Sequence, residues 1–177
     1  MKKRLLSVTL ILTVAGCSAT TSNEQSGQGF TGKDIPAAWR NSYTDWKDLK
    51  RAYQAKYTYE RDYNYASRFN SSTKFEIIND QVEFRHFFQW QTGVSPTLTW
   101  SESYNDLDSH NQGSPAKTLD QLYQQCKTEV LNQPQINATL NFVVDQFNIL
   151  QECSITQHNC HSACTQGIRI QGLSIEK

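Results

Sequence analysis

Residues 74–90 read KFEIINDQVEFRHFFQW, and this stretch has the pattern of a β-hairpin. Phe75 and Ile77 alternate with polar residues on the first arm. The second arm alternates in the same way through Val82, Phe84, His86, Phe88 and Trp90. Between the arms lie Asn79 and Asp80, residue types that tolerate the positive φ of a tight turn. Because a period of two places alternate side chains on one face, the sequence predicts two antiparallel strands with His86 on the apolar face.

A second alternating segment precedes the hairpin. Residues 57–65 read YTYERDYNY, and four tyrosines share one face of the predicted strand: Tyr57, Tyr59, Tyr63 and Tyr65. This row has two interpretations. The tyrosines form either an exposed platform that stacks on the rings of sugars or a core face whose phenol oxygens reach water or backbone groups. The core interpretation is favoured, because a helix rich in tryptophan and tyrosine is predicted directly before this strand.

Two amphipathic helices are predicted around these strands. In residues 35–54 the apolar stripe repeats every three or four positions, as Ile35, Trp39, Ser42, Trp46, Leu49 and Tyr53. A second helix begins at Thr118, which forms a capping-box pattern with Gln121. Its stripe consists of Leu119, Leu122, Tyr123, Cys126 and Val130. Pro134 follows and ends the helix.

Further strands are predicted near residues 98–104, 140–144, 149–155 and 168–173, where apolar residues again alternate. The connections between neighbouring strands are too short for parallel crossovers. We therefore expect an α+β fold in which one antiparallel sheet carries both helices on one face, in the order helix, strands, helix, strands.

The first seventeen residues, MKKRLLSVTLILTVAGC, have the pattern of an export signal. Three cations precede an apolar stretch from Leu5 to Ala15, which is too short to span a membrane. The closing segment Val14-Ala15-Gly16-Cys17 resembles the lipobox of bacterial lipoproteins. That resemblance implies cleavage before Cys17, a thioether-linked lipid on its sulfur, and acylation of the new amine with a palmitate-type chain. The alternative is an ordinary secretory signal with a chance cysteine.

The resemblance sets the expected organisation of the chain. Residues 1–16 are the signal peptide, 17–33 the lipidated Cys17 with a flexible polar and Gly-rich tether, and 34–177 a single α+β domain. The membrane is then a partner through the lipid on Cys17, since several acyl chains anchor stably where one does not. Ser18, in place of the Asp that retains lipoproteins at the inner membrane, favours the outer membrane, facing the periplasm.

Charge excludes one class of partner. The chain of 177 residues carries 17 basic and 17 acidic side chains. Without Lys2, Lys3 and Arg4 of the predicted signal, 14 basic and 17 acidic groups remain, a net charge of −3. A nucleic-acid partner needs a basic footprint, so we expect none. An envelope protein or a small ligand stays open as a partner.

Four cysteines follow Cys17, and an exported protein meets an oxidising compartment, so disulfides are expected. Cys126 lies on the inward stripe of the second helix and Cys153 on the inward face of a strand, which predicts that they pair. Cys160 and Cys164 would then bridge their own loop. The rival pairing joins Cys153 to Cys164 and Cys126 to Cys160.

A metal site is the other interpretation of the late cysteines. His158, Cys160, His161 and Cys164 are residue types that suit zinc or copper. Their H-x-C-H-x-x-C spacing matches no structural zinc pattern, so we expect disulfides and no metal. The loop residues Asp106, Asp108 and His110 are a further candidate metal set, but a loop of turn-forming residues explains them more simply.

The sequence contains no G-x-S-x-G, P-loop or H-E-x-x-H motif. The carboxylates Asp62, Asp80 and Asp145 have the spacing of turn or surface groups. We therefore expect no catalytic residue and no cofactor, and a binding or structural role in the envelope. The alternatives are small-ligand binding, of a sugar or a peptide, at the tyrosine strand, and an enzyme whose residues come from distant positions.

Four segments together resemble a family of uncharacterised bacterial lipoproteins, domain of unknown function 6174. They are Trp46 with Tyr57-Thr58-Tyr59, Ile78-Asn79-Asp80-Gln81-Val82, Thr118-Leu119-Asp120-Gln121-Leu122-Tyr123, and Leu140-Asn141-Phe142-Val143-Val144-Asp145. The resemblance covers residues 46–173. It implies a compact domain of the cell envelope and assigns no catalytic residue.

Overall fold

Two antiparallel sheets and two helices make up the part of the chain that the computed structural model describes, residues 27–64, 69–161 and 164–176. This mixed α+β class agrees with the sequence prediction. The prediction of one sheet is wrong, because the strands divide into a five-stranded and a four-stranded sheet.

The five-stranded sheet has the order β5-β4-β3-β2-β9. Its strands are β2 (Tyr57–Asn64), β3 (Phe69–Ile78), β4 (Gln81–Gln91), β5 (Thr97–Ser103) and β9 (Gln171–Ile175). β3 and β4 form the predicted hairpin, and Asn79 and Asp80 at its turn have φ of 52° and 65°.

The four-stranded sheet has the order β1-β6-β7-β8. Its strands are β1 (Gln28–Phe30), β6 (Ala138–Val144), β7 (Leu150–Gln157) and β8 (Thr165–Arg169). β1 lies inside the segment for which we predicted a flexible tether, and it pairs with β6 from Gln28 opposite Val144 to Phe30 opposite Phe142. The ordered chain therefore begins before Asp34, because Phe30 packs on the ring of Phe142.

Helix α1 (Ile35–Ala52) follows the predicted stripe, and Ile35, Trp39, Ser42 and Trp46 are buried. Helix α2 (Leu119–Gln125) continues as a π-helical turn, Cys126–Leu131. Its capping box is present, because the side chains of Thr118 and Gln121 each bond the other's backbone N–H.

The helices contact both sheets, which differs from the predicted packing on one face of a single sheet. Trp46 of α1 meets the ring of Tyr57 in β2 edge-on, with ring centroids 4.8 Å apart. Trp39 Nε1 donates to the carbonyl oxygen of Tyr123 in α2 at 3.2 Å. The Tyr123 hydroxyl accepts from the backbone N–H of Leu150 in β7 at 2.8 Å. The tryptophan and tyrosine side chains thus form one core that both sheets share.

The disulfides follow the first of the two predicted pairings. Cys126 and Cys153 are fully buried and join the end of α2 to β7, with Cα atoms 5.8 Å apart. Cys160 pairs with Cys164 beside the loop between β7 and β8. The inward parities of helix and strand were therefore sufficient to select the pairing.

A β-bulge changes which face of β4 is buried. Glu76 pairs with Phe84, while the next residue, Ile77, pairs with Val82, so Glu83 is the extra residue. Beyond it the parity reverses: Arg85 and Phe87 are buried, whereas Phe84, His86, Phe88 and Trp90 are on the outer face. The prediction that His86 lies on the apolar core face is therefore wrong.

The last predicted strand is two strands in different sheets. β8 ends at Arg169 in the four-stranded sheet, and β9 begins at Gln171 in the five-stranded sheet. Ile170 lies between them, and its N–H donates to the carbonyl oxygen of Gln151 at 2.8 Å. Gly172, inside β9, has φ of 57°, a conformation that favours glycine, and it lies where the register of β9 with β2 shifts between Gln171 and Ser174.

Candidate functional site

Two of the four tyrosines proposed as a ligand platform are in the core. Tyr57 and Tyr59 are no more than 1% exposed. The Tyr57 hydroxyl accepts from the N–H of Leu119, the first residue of α2, at 2.9 Å, and the Tyr59 hydroxyl donates to the carbonyl oxygen of Lys117. Burial raises the pKa of both phenols above their usual range. A stacking platform at Tyr57 and Tyr59 is therefore excluded, and the core interpretation is confirmed for these two.

Other predicted positions lie outside the described residues. Tyr65 and the side chain of Tyr63 are among them, as are Cys17 and the signal segment. The lipid anchor on Cys17 stays a prediction.

A buried ion pair joins β4 and β5. Arg85 and Glu102 are 2% and 1% exposed, and Arg85 Nη1 lies 2.8 Å from Glu102 Oε2. The guanidinium also donates to the carbonyl oxygens of Ser114 at 2.8 Å and Gln112 at 2.6 Å. These bonds hold the loop between β5 and α2 against the sheet, which is a structural role.

Glu102 is saturated with hydrogen bonds from that loop. Oε1 accepts from Ser109 Oγ, from the backbone N–H of His110 and from His110 Nδ1, and Oε2 accepts from the backbone N–H of Asp108. Burial opposes ionisation, but the bonds from Arg85, His110 and Asp108 outweigh it and lower the pKa of Glu102 to about 2. The carboxylate is thus permanently ionised near neutral pH and committed to its partners.

Aromatic stacking completes this centre. The His110 ring stacks on Trp100 at 4.4 Å between centroids, and Arg85 Cζ lies 4.7 Å from the Trp100 ring centroid. The sequence predicted residues 105–117 only as loop and gave no role to Arg85 or Glu102. The signal that could have found this pair is that Arg85 and Glu102 lie on the same face of the sheet once the bulge in β4 is taken into account. The sequence itself does not clearly mark that bulge.

Two open clefts lie at one end of the molecule, which we call the Gly27 end. It comprises Gly27, the 145–148 turn, the last turn of α1 and the 79–80 turn. Two hydrogen bonds join α1 to these turns: Asn148 Nδ2 donates to Asp45 at 2.6 Å, and Lys50 Nζ donates to Asp80 at 2.7 Å. Gly27 lies at the same end because it directly precedes β1, whose first residue pairs with Val144.

The cleft at the Gly27 end has two compartments separated by Tyr53. The first, of about 590 Å³, is lined by Ile78 with Lys56 and Glu176 at its rim. The second, of about 490 Å³, has mostly apolar walls, formed by Leu49, Phe147, Leu173 and Ile175. Among the described residues that line the two compartments there is no histidine or cysteine. Such a cleft fits an apolar or amphipathic group better than a reaction.

Two lysines at this end are paired with carboxylates. Lys56 Nζ lies 2.6 Å from Glu176 Oε2, and the bond from Lys56 lowers the pKa of Glu176. Lys50 bonds both Asp80 and Asp120, and these bonds outweigh the effect of burial and raise the pKa of Lys50. Both lysines are therefore committed to partners and offer little free positive charge to a ligand.

The 145–148 turn holds Phe147 outward. Asp145 Oδ1 accepts from the backbone N–H groups of Phe147 and Ile149, each at 2.9 Å, and Asn148 has φ of 60°. Phe147 is 62% exposed as a result. Asp145 and Asp80 thus act in turns, as their spacing predicted.

The outer face of the five-stranded sheet carries a second aromatic group. The rings of Phe84 and His86 stack at 5.8 Å, and Phe84 is 39% exposed. His86 Nδ1 lies 2.8 Å from Ser101 Oγ and Nε2 lies 3.3 Å from Glu76.

The loop cysteines are in a disulfide, so the combined metal set of His158, Cys160, His161 and Cys164 is not assembled. His158 Nε2 instead lies 2.7 Å from Thr139 Oγ1. Over residues 27–64, 69–161 and 164–176, no group of three or more histidine, cysteine or acidic side chains is placed to hold a metal ion.

Comparison with known proteins adds no assignment. No family model matches the chain, and neither a curated protein nor a solved structure matches it. In the part of the chain that the structure describes, no helix has the length and apolar character needed to cross a bilayer. The resemblance to domain of unknown function 6174 therefore stays a prediction.

Proposed function

We propose that the protein is a lipid-anchored lipoprotein of the bacterial envelope that acts, without catalysis, by binding an apolar or amphipathic group in the cleft at the Gly27 end. The cleft carries this proposal, because its second compartment has mostly apolar walls, Lys56 and Glu176 in the first compartment are paired with each other, and both compartments are open to solvent. The outer membrane, facing the periplasm, is the proposed location.

The hydrogen bonds of the acidic groups support binding over catalysis. A general acid or base needs a carboxylate that is free to exchange a proton near neutral pH. Glu102 is held ionised by its donors, Asp145 closes a turn, and Asp80 is bonded to Lys50. Each has a structural partner that catalysis would have to displace.

The anchor is tested by mass spectrometry of the protein extracted from envelopes in detergent. The expected amino-terminal peptide begins at Cys17 and carries a thioether-linked diacylglyceryl group and an acylated amine. Cys17→Ser should release the protein from the membrane fraction. An intact signal, or a mature chain with an unmodified Cys17, would contradict the anchor.

The cleft is tested with a neutral apolar fluorophore, 1-N-phenylnaphthylamine. Its fluorescence should rise on binding, and Tyr53→Ala should weaken binding because Tyr53 lines both compartments. Ile136→Ala is the matched control, since Ile136 is 77% exposed and lies next to the opposite end of β6. Equal binding by the two variants would place the fluorophore elsewhere.

The exposed aromatic group on β4 favours a second candidate, stacking on sugars. Phe84 and His86 stack beside polar neighbours, an arrangement that suits a sugar ring. Thermal shift against envelope sugars, with Phe84→Ser as the variant, tests it. An unchanged melting temperature with every sugar would remove this candidate.

A further inference from the structure

We infer that the Gly27 end is the face that lies against the bilayer, with Phe147 and the cleft beside it in contact with the acyl chains of membrane lipids. The inference rests on the proposed lipid anchor and assigns the cleft its ligand class.

The length of chain between the anchor and the domain limits the orientation. Nine residues lie between Cys17 and Gly27, and the chain from Cys17 to Gly27 spans at most about 35 Å in any conformation. A domain of this size is roughly 40 Å across. The connection from Cys17 to Gly27 is shorter than the domain is wide. The domain therefore cannot rest on the bilayer by its opposite end with the Gly27 end pointing away from the membrane.

The position of Gly27 fixes which surface stays near the lipid. Gly27 precedes β1, which runs antiparallel to β6 and starts opposite Val144, directly before the 145–148 turn. The chain therefore enters the domain beside Phe147 and the apolar compartment that Phe147 lines.

Exposed apolar side chains alone would not select this face. Ile136 is 77% exposed and precedes β6, at the end of that strand opposite the 145–148 turn. Val94 is 58% exposed and follows β4, at the end of that strand opposite the 79–80 turn. Among the residues that the structure describes, Phe147 combines exposure, an apolar cleft and a position beside the point of entry.

The chemistry of the contact follows from the paired charges. Lys56 is bonded to Glu176 and Lys50 to Asp80, and the Asp145 carboxylate beside Phe147 accepts from backbone N–H groups, so attraction to anionic headgroups contributes little. Contact should come from burial of apolar surface and should resist salt. Phe147 is already held outward by the two bonds to Asp145, so no rearrangement of the turn is needed.

The test uses the full lipidated chain in vesicles of phosphatidylethanolamine and phosphatidylglycerol. Phe147→Cys and, as the matched control, Ile136→Cys are each labelled with the environment-sensitive fluorophore NBD, with the native disulfides left oxidised. The label at position 147 should shift to the blue on reconstitution and be quenched by lipids that carry a spin label on the acyl chain. The label at position 136 should keep the spectrum it has in water.

The outcomes separate the anchor from the orientation. Vesicles that float with the protein, together with equal spectra at positions 147 and 136, overturn the orientation and leave the anchor intact. A chain that does not float with vesicles overturns the anchor and the inference with it. A blue shift that disappears in about 1 M salt, where charges are screened beyond about 3 Å, overturns the apolar basis of the contact.

Discussion

The buried centre around Arg85 and the Gly27 end both combine ion pairs with aromatic rings, yet they serve different purposes. At Arg85 the charges are no more than 2% exposed and the carboxylate accepts bonds from four residues. At the Gly27 end the ion pair between Lys56 and Glu176 is about half exposed, and the aromatic ring of Phe147 faces solvent.

The difference shows that the fold uses polar groups in two ways, as a buried ion pair and as a surface ion pair. A buried charge is tolerated only when its partners are complete, so the Arg85 centre uses both of its charges to fix a loop. A surface pair contributes little to stability, so the Gly27 end can change without unfolding the protein. The two regions should therefore respond to mutation in opposite ways.

The largest expected effect is that of Glu102→Gln. The substitution removes the buried counter-charge of the Arg85 guanidinium and leaves only the half-exposed Asp108 carboxylate, 3.3 Å away. Loss of a buried ion-pair partner costs about 3–5 kcal/mol in the free energy of unfolding, and we expect the lower part of that range. Urea denaturation of both proteins measures it. Glu176→Gln, which removes the partner of Lys56 at the surface, is the control and should be close to the parent. Equal losses in the two variants would remove the contrast between the regions.

Acid should destabilise the protein through the same residue. The folded-state pKa of Glu102 is about 2, below the ordinary value of 4.5. A lowered pKa contributes stability that is fully present above the ordinary value and is lost as pH falls towards 2. Melting temperatures measured from pH 6 to pH 2 should therefore fall most steeply below about pH 4.5. In Glu102→Gln this decline should be shallower, and an identical decline in both proteins would assign it to other carboxylates.

A smaller effect is expected for Tyr57→Phe. The change leaves the N–H of Leu119 buried without an acceptor at the start of α2, a loss of about 1–3 kcal/mol. Tyr53→Phe removes the same hydroxyl at the cleft and should stay within about 0.5 kcal/mol of the parent. Thermal denaturation measures the stability of both variants. Similar losses would show that the Tyr53 hydroxyl contributes as much to stability as the Tyr57 hydroxyl.

The smallest effect on stability is expected for Phe147→Ser. Phe147 is 62% exposed, so its removal should change the melting temperature little. Contact between the Gly27 end and the bilayer should weaken, because less apolar surface is buried there. The melting temperature in detergent and NBD fluorescence in vesicles, with the label at a second position of the 145–148 turn, measure the two properties. A clear loss of stability would assign Phe147 to the core.

The sequence predicted the features that depend on local pattern. The stripe of α1, the capping box at Thr118 and Gln121, and the turn at Asn79 and Asp80 follow from spacing of three, four or two residues. The Cys126–Cys153 disulfide was also predicted correctly, because the inward face of the helix and the inward face of the strand could each be derived from the local sequence.

The features that were missed depend on long-range partners. The bulge at Glu83 reverses the buried face of β4, and only the register with β3 reveals it. β1 has a Gly-rich sequence and becomes a strand because β6 offers an unpaired edge. The cleft is lined by residues of α1, β9 and two turns, and no regular spacing in the sequence relates those elements.

The change of sheet at Ile170 has a consequence for cooperativity. β8 and β9 provide an outermost strand for each sheet, and both come from residues 165–175. One short segment therefore closes an edge of both sheets. If this segment detaches, both sheets lose an outer strand at the same time, so the two sheets should unfold together and not one after the other.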